Sequence, residues 1–159
     1  MHLRPAIPAD AEQIAAIYYH TIHTVNAAHY TAPQCEAWAP AATLDPTGWR
    51  LKQRDRYTLV AEREGQLLGF GELLPSGHVD CFYVHHAHQR QGVGRAILAG
   101  LEAEAARLGL QRLDLEASLT ALPFFEACGW RTLARQQVER RGQLLTNFRM
   151  EKELPGRPE

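Results

Sequence analysis

The sequence lacks the features that mark membrane, secreted and nucleic-acid-binding proteins. No stretch approaches the ~18 apolar residues of a membrane-spanning helix, and the N-terminus carries no apolar signal core. The three cysteines are far apart, odd in number and without a C-x-x-C pair, so no disulfide framework is indicated. A net charge of only −1 implies no strong attraction to nucleic acid or to a membrane surface. We therefore expect a cytoplasmic protein with neither of these partners.

The composition is that of an ordinary globular protein, with 45% hydrophobic and 22% charged residues. A chain of 159 residues is long enough to bury one sizeable core. No internal repeat or low-complexity linker divides it. We expect a single domain over residues 1–154, followed by a disordered tail at 155–159, where the sequence is charged and proline-rich.

Hydrophobic periodicity predicts strands and helices in mixed order. Predicted strands cover residues 2–6, 57–63, 66–74, 78–84, 111–117, 130–138 and 143–150. A helix is predicted from residue 10 to about 25, a long one at 92–108, and short ones near 33–38, 47–53 and 123–127. This order indicates an α/β or α+β fold in which helices flank a mixed sheet.

The most informative stretch lies where a predicted strand, Val79 to Val84, gives way to the long helix, with the spacing Gln89-x-x-Gly92-x-Gly94 between them. The first N–H groups of a helix have no internal partner, and the helix dipole adds partial positive charge there. Glycine lets an anion approach the backbone closely, so the stretch predicts a phosphate cradle. The third glycine of a dinucleotide fingerprint is missing, and no Lys-Ser or Lys-Thr completes a P-loop. An ordinary tight turn is the alternative.

This glycine motif resembles the pyrophosphate-binding signature of the GNAT (Gcn5-related) N-acetyltransferase superfamily, in particular its small bacterial members of unassigned substrate. The segment from Phe124 to Trp130 is similar to the family's stretch after the fifth strand. The resemblance, over residues 2–152, implies a mostly antiparallel sheet of about seven strands, splayed between the fourth and fifth. It also implies acetyl transfer from acetyl-CoA (coenzyme A) directly to a primary amine of a small molecule or protein. The cofactor-binding residues it implies are Phe82, Tyr83, Val84, Gln89, Arg90, Gln91, Gly92, Val93, Gly94 and Arg95.

The strand 78–84 also carries the candidates for proton transfer. A two-residue period puts His78, Asp80, Phe82 and Val84 on one face, with Tyr83 and Cys81 on the other. The family places its base or water-relay groups four and six residues before the strand's end, which selects Asp80 and His78. An imidazole beside a carboxylate is a sensible proton acceptor near neutral pH. Glu116, on the next strand, is a secondary candidate for base or amine binding.

One departure from the family pattern raises an alternative function. Many members carry a tyrosine where this chain has Phe125, which has no proton to give to the leaving thiolate. The alternative is therefore a catalytically silent acyl-CoA-binding module of the same fold. The histidines at 85, 86 and 88 lack a cysteine or carboxylate to complete a ligand set, so no metal site is expected. An edge strand near Gln143 to Met150 would allow a homodimer.

Overall fold

The computed structural model describes residues 1–155; apart from Pro155, the tail predicted at 155–159 lies outside the described residues. Seven strands form one sheet in the order β1-β2-β3-β4-β5-β7-β6. The strands are β1 (His2–Pro5), β2 (Tyr57–Arg63), β3 (Gln66–Leu73), β4 (His78–Val84), β5 (Arg112–Ser118), β6 (Arg131–Arg140) and β7 (Gln143–Glu153). Every neighbouring pair is antiparallel except β4 and β5, which are parallel. The predicted fold class is confirmed.

Within the described residues, five α-helices and several short 3₁₀ turns flank this sheet. The helices are α1 (Ala11–Thr24), α2 (Ala32–Trp38), α3 (Pro46–Lys52), α4 (Val93–Arg107) and α5 (Leu122–Ala127). Proline stands in the first turn of α2, α3 and α5, where its missing N–H is not needed. No helix within residues 1–155 combines the length and the apolar character that crossing a bilayer requires.

The core is divided between the two faces of the sheet. Ile97 and Leu101 of α4 pack on one face, and Ile14 and Ile17 of α1 pack on the other. Gly69 lies directly beneath α4, where an added Cβ would stand 2.9 Å from both the Tyr83 carbonyl and the Ile97 side chain. Because α4 rests so closely on the backbone of β3, its N-terminus is fixed beside the end of β4.

A wedge opens between β4 and β5. The two strands pair only at His78 with Asp114 and at Val79 with Leu115. Beyond these pairs β4 continues to Val84 and β5 to Ser118 without a shared ladder, while β5 stays paired with β7 over its whole length. The predicted splay between the fourth and fifth strands is therefore confirmed. It exposes backbone on both sides of the wedge, directly before α4.

The prediction of an edge strand near Gln143 to Met150 is wrong. That segment belongs to β7, which lies between β5 and β6. The hairpin folds back so that β7 takes the position beside β5 and leaves β6, together with β1, at the edges of the sheet. The homodimer itself stays a prediction.

Candidate active site

A β-bulge in β4 decides which side chains face the site. Gly71 pairs with Phe82 but Leu73 pairs with Val79, so β4 has one residue more than β3 between these two pairs. Asp80 and Cys81 together stand opposite Glu72, which lies between the two β3 residues. A bulge of this kind bends the strand and breaks its two-residue alternation.

The predicted alternation along β4 is consequently wrong. Phe82 and Val84 do not share a face with Asp80; they pack with Val79 beneath α4 and α5. Cys81 and Tyr83, predicted to point away, pack on the α1 face instead. The bulge shifts the phase by one residue, so the residues after it change sides.

A cavity of about 250 Å³ opens on the α1 face, next to the wedge. It contains all three predicted proton-transfer candidates. Its lining comprises Tyr30, Trp38, His78, Asp80, Tyr83, Glu116, Ser118, Val138, Arg140, Leu145, Thr146 and Asn147. Residues from β4, β5 and the β6–β7 hairpin thus converge on one small volume with both aromatic and ionisable walls.

His78 is held by a carboxylate that the sequence analysis did not single out. Its Nδ1 lies 2.5 Å from Oδ1 of Asp114, its partner across the short parallel ladder. A carboxylate bonded to one ring nitrogen fixes the orientation of the imidazole. Asp114 looked like an ordinary exposed strand residue. Only the pairing register of β4 and β5 could have identified it.

Asp80 is held by an ion pair. Nη1 of Arg56 lies 2.6 Å from Oδ2 of Asp80 and 3.6 Å from Oε1 of Glu72, a carboxylate on β3 that is only 1% exposed. Burial raises the pKa of Glu72, against the opposing effect of the Lys52 and Arg56 charges. Glu72 was not among the predicted site residues, although an acidic residue inside an otherwise apolar strand is a signal that the sequence displays.

Cys81 belongs to the same cluster as Glu72 and Asp80. One possible ligand atom from each of Glu72, Asp80 and Cys81 lies within 4.8 Å of the other two. Removal from water, reinforced by the Glu72 carboxylate, raises the pKa of Cys81 well above its usual range. A protonated thiol is a poor nucleophile, so the cluster does not favour an acyl-enzyme. The guanidinium of Arg56 already supplies positive charge to these carboxylates.

The raised pKa of Glu72 predicts a specific pH dependence of stability. The native state holds the Glu72 proton more tightly than the unfolded chain does, so this contribution is complete at acid pH and is lost as the pH rises through the folded-state pKa. We expect Glu72→Gln to match the parent in unfolding free energy near pH ~4 and to exceed it progressively towards pH ~8. Urea unfolding across that range measures this difference. Glu36→Gln, at an exposed position on α2, is the control.

A pH-independent difference for Glu72→Gln, or one that grows towards acid pH, would contradict a raised pKa of Glu72 in the native state.

The loop before α4 has the geometry of an anion site. Gly92 adopts φ +83° at the helix N-cap, and Arg90 adopts φ +60°. The N–H groups of residues 92–95 donate to no acceptor within residues 1–155. A Cβ added at Gly92 would meet no atom within 4 Å, so the space beside this residue is open. Nε2 of Gln89 donates to the Val84 carbonyl at 2.7 Å and fixes the start of the loop.

The predicted cofactor residues divide into two groups. Arg90, Gln91, Gly92 and Arg95 are exposed along the loop, whereas the side chain of Val93 is buried and leaves only its backbone to a ligand. Gly94 lies against Phe124, whose ring carbon would be 3.2 Å from an added Cβ. Phe82, Tyr83 and Val84 border the wedge, with Tyr83 facing the cavity.

The surroundings of Phe125 and of the histidine run complete the site. Phe125 is 3% exposed and packs against Phe82 and Trp130, so the position holds a core ring without a hydroxyl group. Nδ1 of His85 accepts the N–H of Ala87 at 3.0 Å. Within residues 1–155, the histidines at 85–88 do not bring three ligand atoms within 4.8 Å of one another.

Comparison with known proteins identifies relatives along almost the whole chain. The Acetyltransferase (GNAT) domain model matches residues 26–154. The uncharacterized N-acetyltransferase YafP of Escherichia coli K12 is 32% identical over 150 residues, which cover 94% of each chain. A GCN5-related N-acetyltransferase from Rhodopseudomonas palustris superposes with a TM-score of 0.90, is 35% identical, and covers 96% of this chain and 95% of its own.

A second similar structure is yncA of Salmonella typhimurium, solved with its cofactor acetyl-CoA. It has a TM-score of 0.75 and is 24% identical, with coverage of 97% of this chain and 94% of its own. The family model matches most of the chain, and both relatives above 30% identity cover more than nine-tenths of it. This chain is therefore a member of the GNAT acetyltransferase family.

Proposed function

We propose that this protein transfers an acetyl group from acetyl-CoA directly to a primary amine. The observation that carries the proposal is that one strand, β4, joins the two halves of the site. Its first residues line the cavity with ionisable groups, and its last residues lead into the loop of free N–H groups. An anionic donor at the loop and an amine in the cavity would meet at the wedge.

The residues of the loop fit the pyrophosphate of coenzyme A. A row of unpaired N–H groups at a helix N-terminus, with open space beside Gly92, is the arrangement that binds phosphates. Arg90 and Arg95 are exposed at the same loop and add positive charge. The similar fold of yncA, which was solved with acetyl-CoA, supports this assignment. When bound, acetyl-CoA supplies an activated acetyl thioester.

We assign the proton-accepting role to His78. Its imidazole lines the cavity, and Asp114 both orients the ring and stabilises the positive charge that it gains with the proton. Asp80 is a weaker candidate because its carboxylate is committed to Arg56 at 2.6 Å. Glu116 accepts a hydrogen bond from Nδ2 of Asn147 at 3.3 Å and is free of an ion pair within residues 1–155. We therefore give Glu116 the role of binding the ammonium form of the acceptor.

The leaving thiolate needs no acid from Phe125. A thiol with a pKa of about 8.5 is a tolerable leaving group at neutral pH, so the thiolate can depart and take its proton from water. The raised pKa of Cys81 supports direct transfer without an acyl-enzyme.

The continuous sheet from His2 to Glu153 supports a single domain over residues 1–154. The three free cysteines, Cys35, Cys81 and Cys128, support a cytoplasmic location.

Calorimetry with acetyl-CoA tests the donor half of the proposal. We expect the parent to bind and Gly92→Glu to lose about tenfold or more in affinity, since a carboxylate beside the pyrophosphate repels it. Gly65→Glu is the matched control, because Gly65 also has positive φ, at +80°, and open space around it, but lies in the β2–β3 turn. Loss of binding in both variants would indicate backbone strain rather than a phosphate cradle.

Thiol release with a panel of primary amines tests the acceptor half. Acceptor-dependent release by the parent would support acetyl transfer. Acetyl-CoA binding without release for any amine would instead favour the silent acyl-CoA-binding module. Absence of acetyl-CoA binding by the parent would overturn both functions.

A further inference from the structure

The charges that line the cavity are not all satisfied by the protein. Asp80 is paired with Arg56, and His78 with Asp114. Glu116 and Arg140 have no ion pair within residues 1–155. Nη1 of Arg140 donates only to the carbonyl of its neighbour Glu139, at 2.9 Å. The cavity thus presents one uncommitted anion and one uncommitted cation.

These two charges lie at opposite ends of the cavity. Glu116 on β5 pairs with Arg149 of β7, and Arg140 pairs with Gln143 of the same strand. Gln143 and Arg149 are six residues apart on β7, or ~20 Å of strand, and a ligand has to span this distance less the reach of the two side chains. A ligand that satisfies both charges needs its own charges several bonds apart.

Arg140 acts on the interior of the cavity rather than only on solvent. Burial raises the pKa of Tyr18, and the charges of Arg141 and Arg140 oppose that rise. Tyr18 lies beneath the aromatic wall, with its ring 5.1 Å from that of Tyr83. The positive charge therefore reaches the same walls that Asp80 and Tyr83 form.

The hairpin that carries Arg140 is held in place from the other side of the cavity. Nη1 of Arg141 donates to the Ala37 carbonyl at 2.6 Å, and Nε2 of Gln34 donates to the Leu144 carbonyl at 2.8 Å. The hydroxyl of Tyr30 donates to the Thr146 carbonyl, also at 2.6 Å. These bonds tie β7 and the hairpin turn to α2 and the preceding segment, so Arg140 projects from a preorganised support.

Apolar side chains occupy the wall between the two charges. Trp38, Val138 and Leu145 line the cavity between its acidic end and the hairpin. Methylene groups suit this wall, an ammonium group suits Glu116, and a carboxylate suits Arg140, which binds carboxylates through charge-assisted hydrogen bonds. Resting on the acetyltransferase function proposed above, we propose that the acceptor is an amine with a carboxylate at the far end of an aliphatic spacer, and that Arg140 binds this carboxylate.

Matched acceptors in the thiol-release assay test this specificity. We expect ε-aminocaproate to have a higher kcat/KM than n-hexylamine, which lacks the carboxylate, and cadaverine, which has a second amine in its place. In the series β-alanine, γ-aminobutyrate and ε-aminocaproate, kcat/KM should rise with length. Arg140→Gln should lower the kcat/KM ratio of ε-aminocaproate to n-hexylamine by about tenfold to a hundredfold, the loss expected for a hydrogen bond to a charged group. Arg135→Gln, an exposed β6 position outside the cavity, is the control and should keep the parent ratio.

Arg140→Glu should reverse the preference and favour cadaverine over ε-aminocaproate. Equal kcat/KM values of the parent for ε-aminocaproate, n-hexylamine and cadaverine would overturn the carboxylate assignment. An unchanged kcat/KM ratio of ε-aminocaproate to n-hexylamine in Arg140→Gln would also overturn it. If n-hexylamine is acetylated in either case, the proposed function stands while this inference falls. Absence of thiol release with every acceptor overturns the inference, and calorimetry with acetyl-CoA then shows whether the donor site survives.

Discussion

Replacement of His78 by alanine should lower kcat by about 100-fold to 10,000-fold, the range that a positioned general base contributes. The imidazole accepts the amine proton, and Asp114, 2.5 Å from its Nδ1, stabilises the resulting cation. Affinity for acetyl-CoA should change little because His78 lies at the opposite end of β4 from the glycine loop. Steady-state thiol release and calorimetry on the same preparation separate the two quantities. His2→Ala, at an exposed position on β1, is the control.

Asp114→Asn separates the effect of the Asp114 charge from the orientation that its hydrogen bond gives to the His78 ring. The amide keeps a hydrogen bond to the ring but loses the negative charge that faces the imidazolium formed when His78 accepts the proton, so kcat should fall while affinity for acetyl-CoA stays unchanged. An unchanged kcat in Asp114→Asn would limit Asp114 to orienting the ring. Full activity in His78→Ala would exclude His78 as the base and return Asp80 and Glu116 to consideration.

Phe70→Ala should lower the free energy of unfolding by about 3–5 kcal/mol, the range for truncation of a buried aromatic side chain. Phe70 is completely buried at the centre of β3, with its ring centroid 5.7 Å from that of Trp49 and 6.0 Å from that of Tyr83. Its removal opens a cavity beneath α1 and α3. Since Tyr83 also lines the candidate active site, we expect a lower kcat/KM at temperatures where the variant is still folded.

Urea unfolding measures this effect through the midpoint, with the denaturant dependence of the free energy checked for constancy. Leu133→Ala is the control because Leu133 is 44% exposed on the edge strand β6, and its truncation should stay within about 0.5 kcal/mol. A loss below about 1 kcal/mol for Phe70→Ala would mean that the surrounding helices collapse into the space.

The order and type of the elements could be predicted because their patterns are local. The strand from Tyr57 to Arg63 and the strand from His78 to Val84 have the predicted bounds, and α4 begins one residue after the predicted start. Turn glycines and apolar periods are short-range features that one sequence displays directly. The edge position was predicted wrongly because strand order depends on which strands pair, and adjacency along the chain does not determine this.

The candidate site was predictable only in part, and the β4 bulge is the reason. Alternation along an undistorted strand placed His78 and Asp80 on one face, and both line the cavity, but it assigned Phe82 and Tyr83 to the wrong faces. An extra residue in one strand is a property of the pair, since it exists only relative to β3. The contacts of Arg56 with Asp80 and of Asp114 with His78 could not be predicted either, because each pair is distant in sequence.

The wedge between β4 and β5 also bears on how the fold holds together. Strands β1 to β4 form one group within the sheet and β5 to β7 form another, and the two groups are joined by only two residue pairs. The covering helices and the core beneath them supply the rest of the attachment. A donor molecule bound in the wedge would therefore contact both groups of strands and help to hold them together. Since a ligand stabilises the state that binds it, the free energy of unfolding would rise with the concentration of acetyl donor.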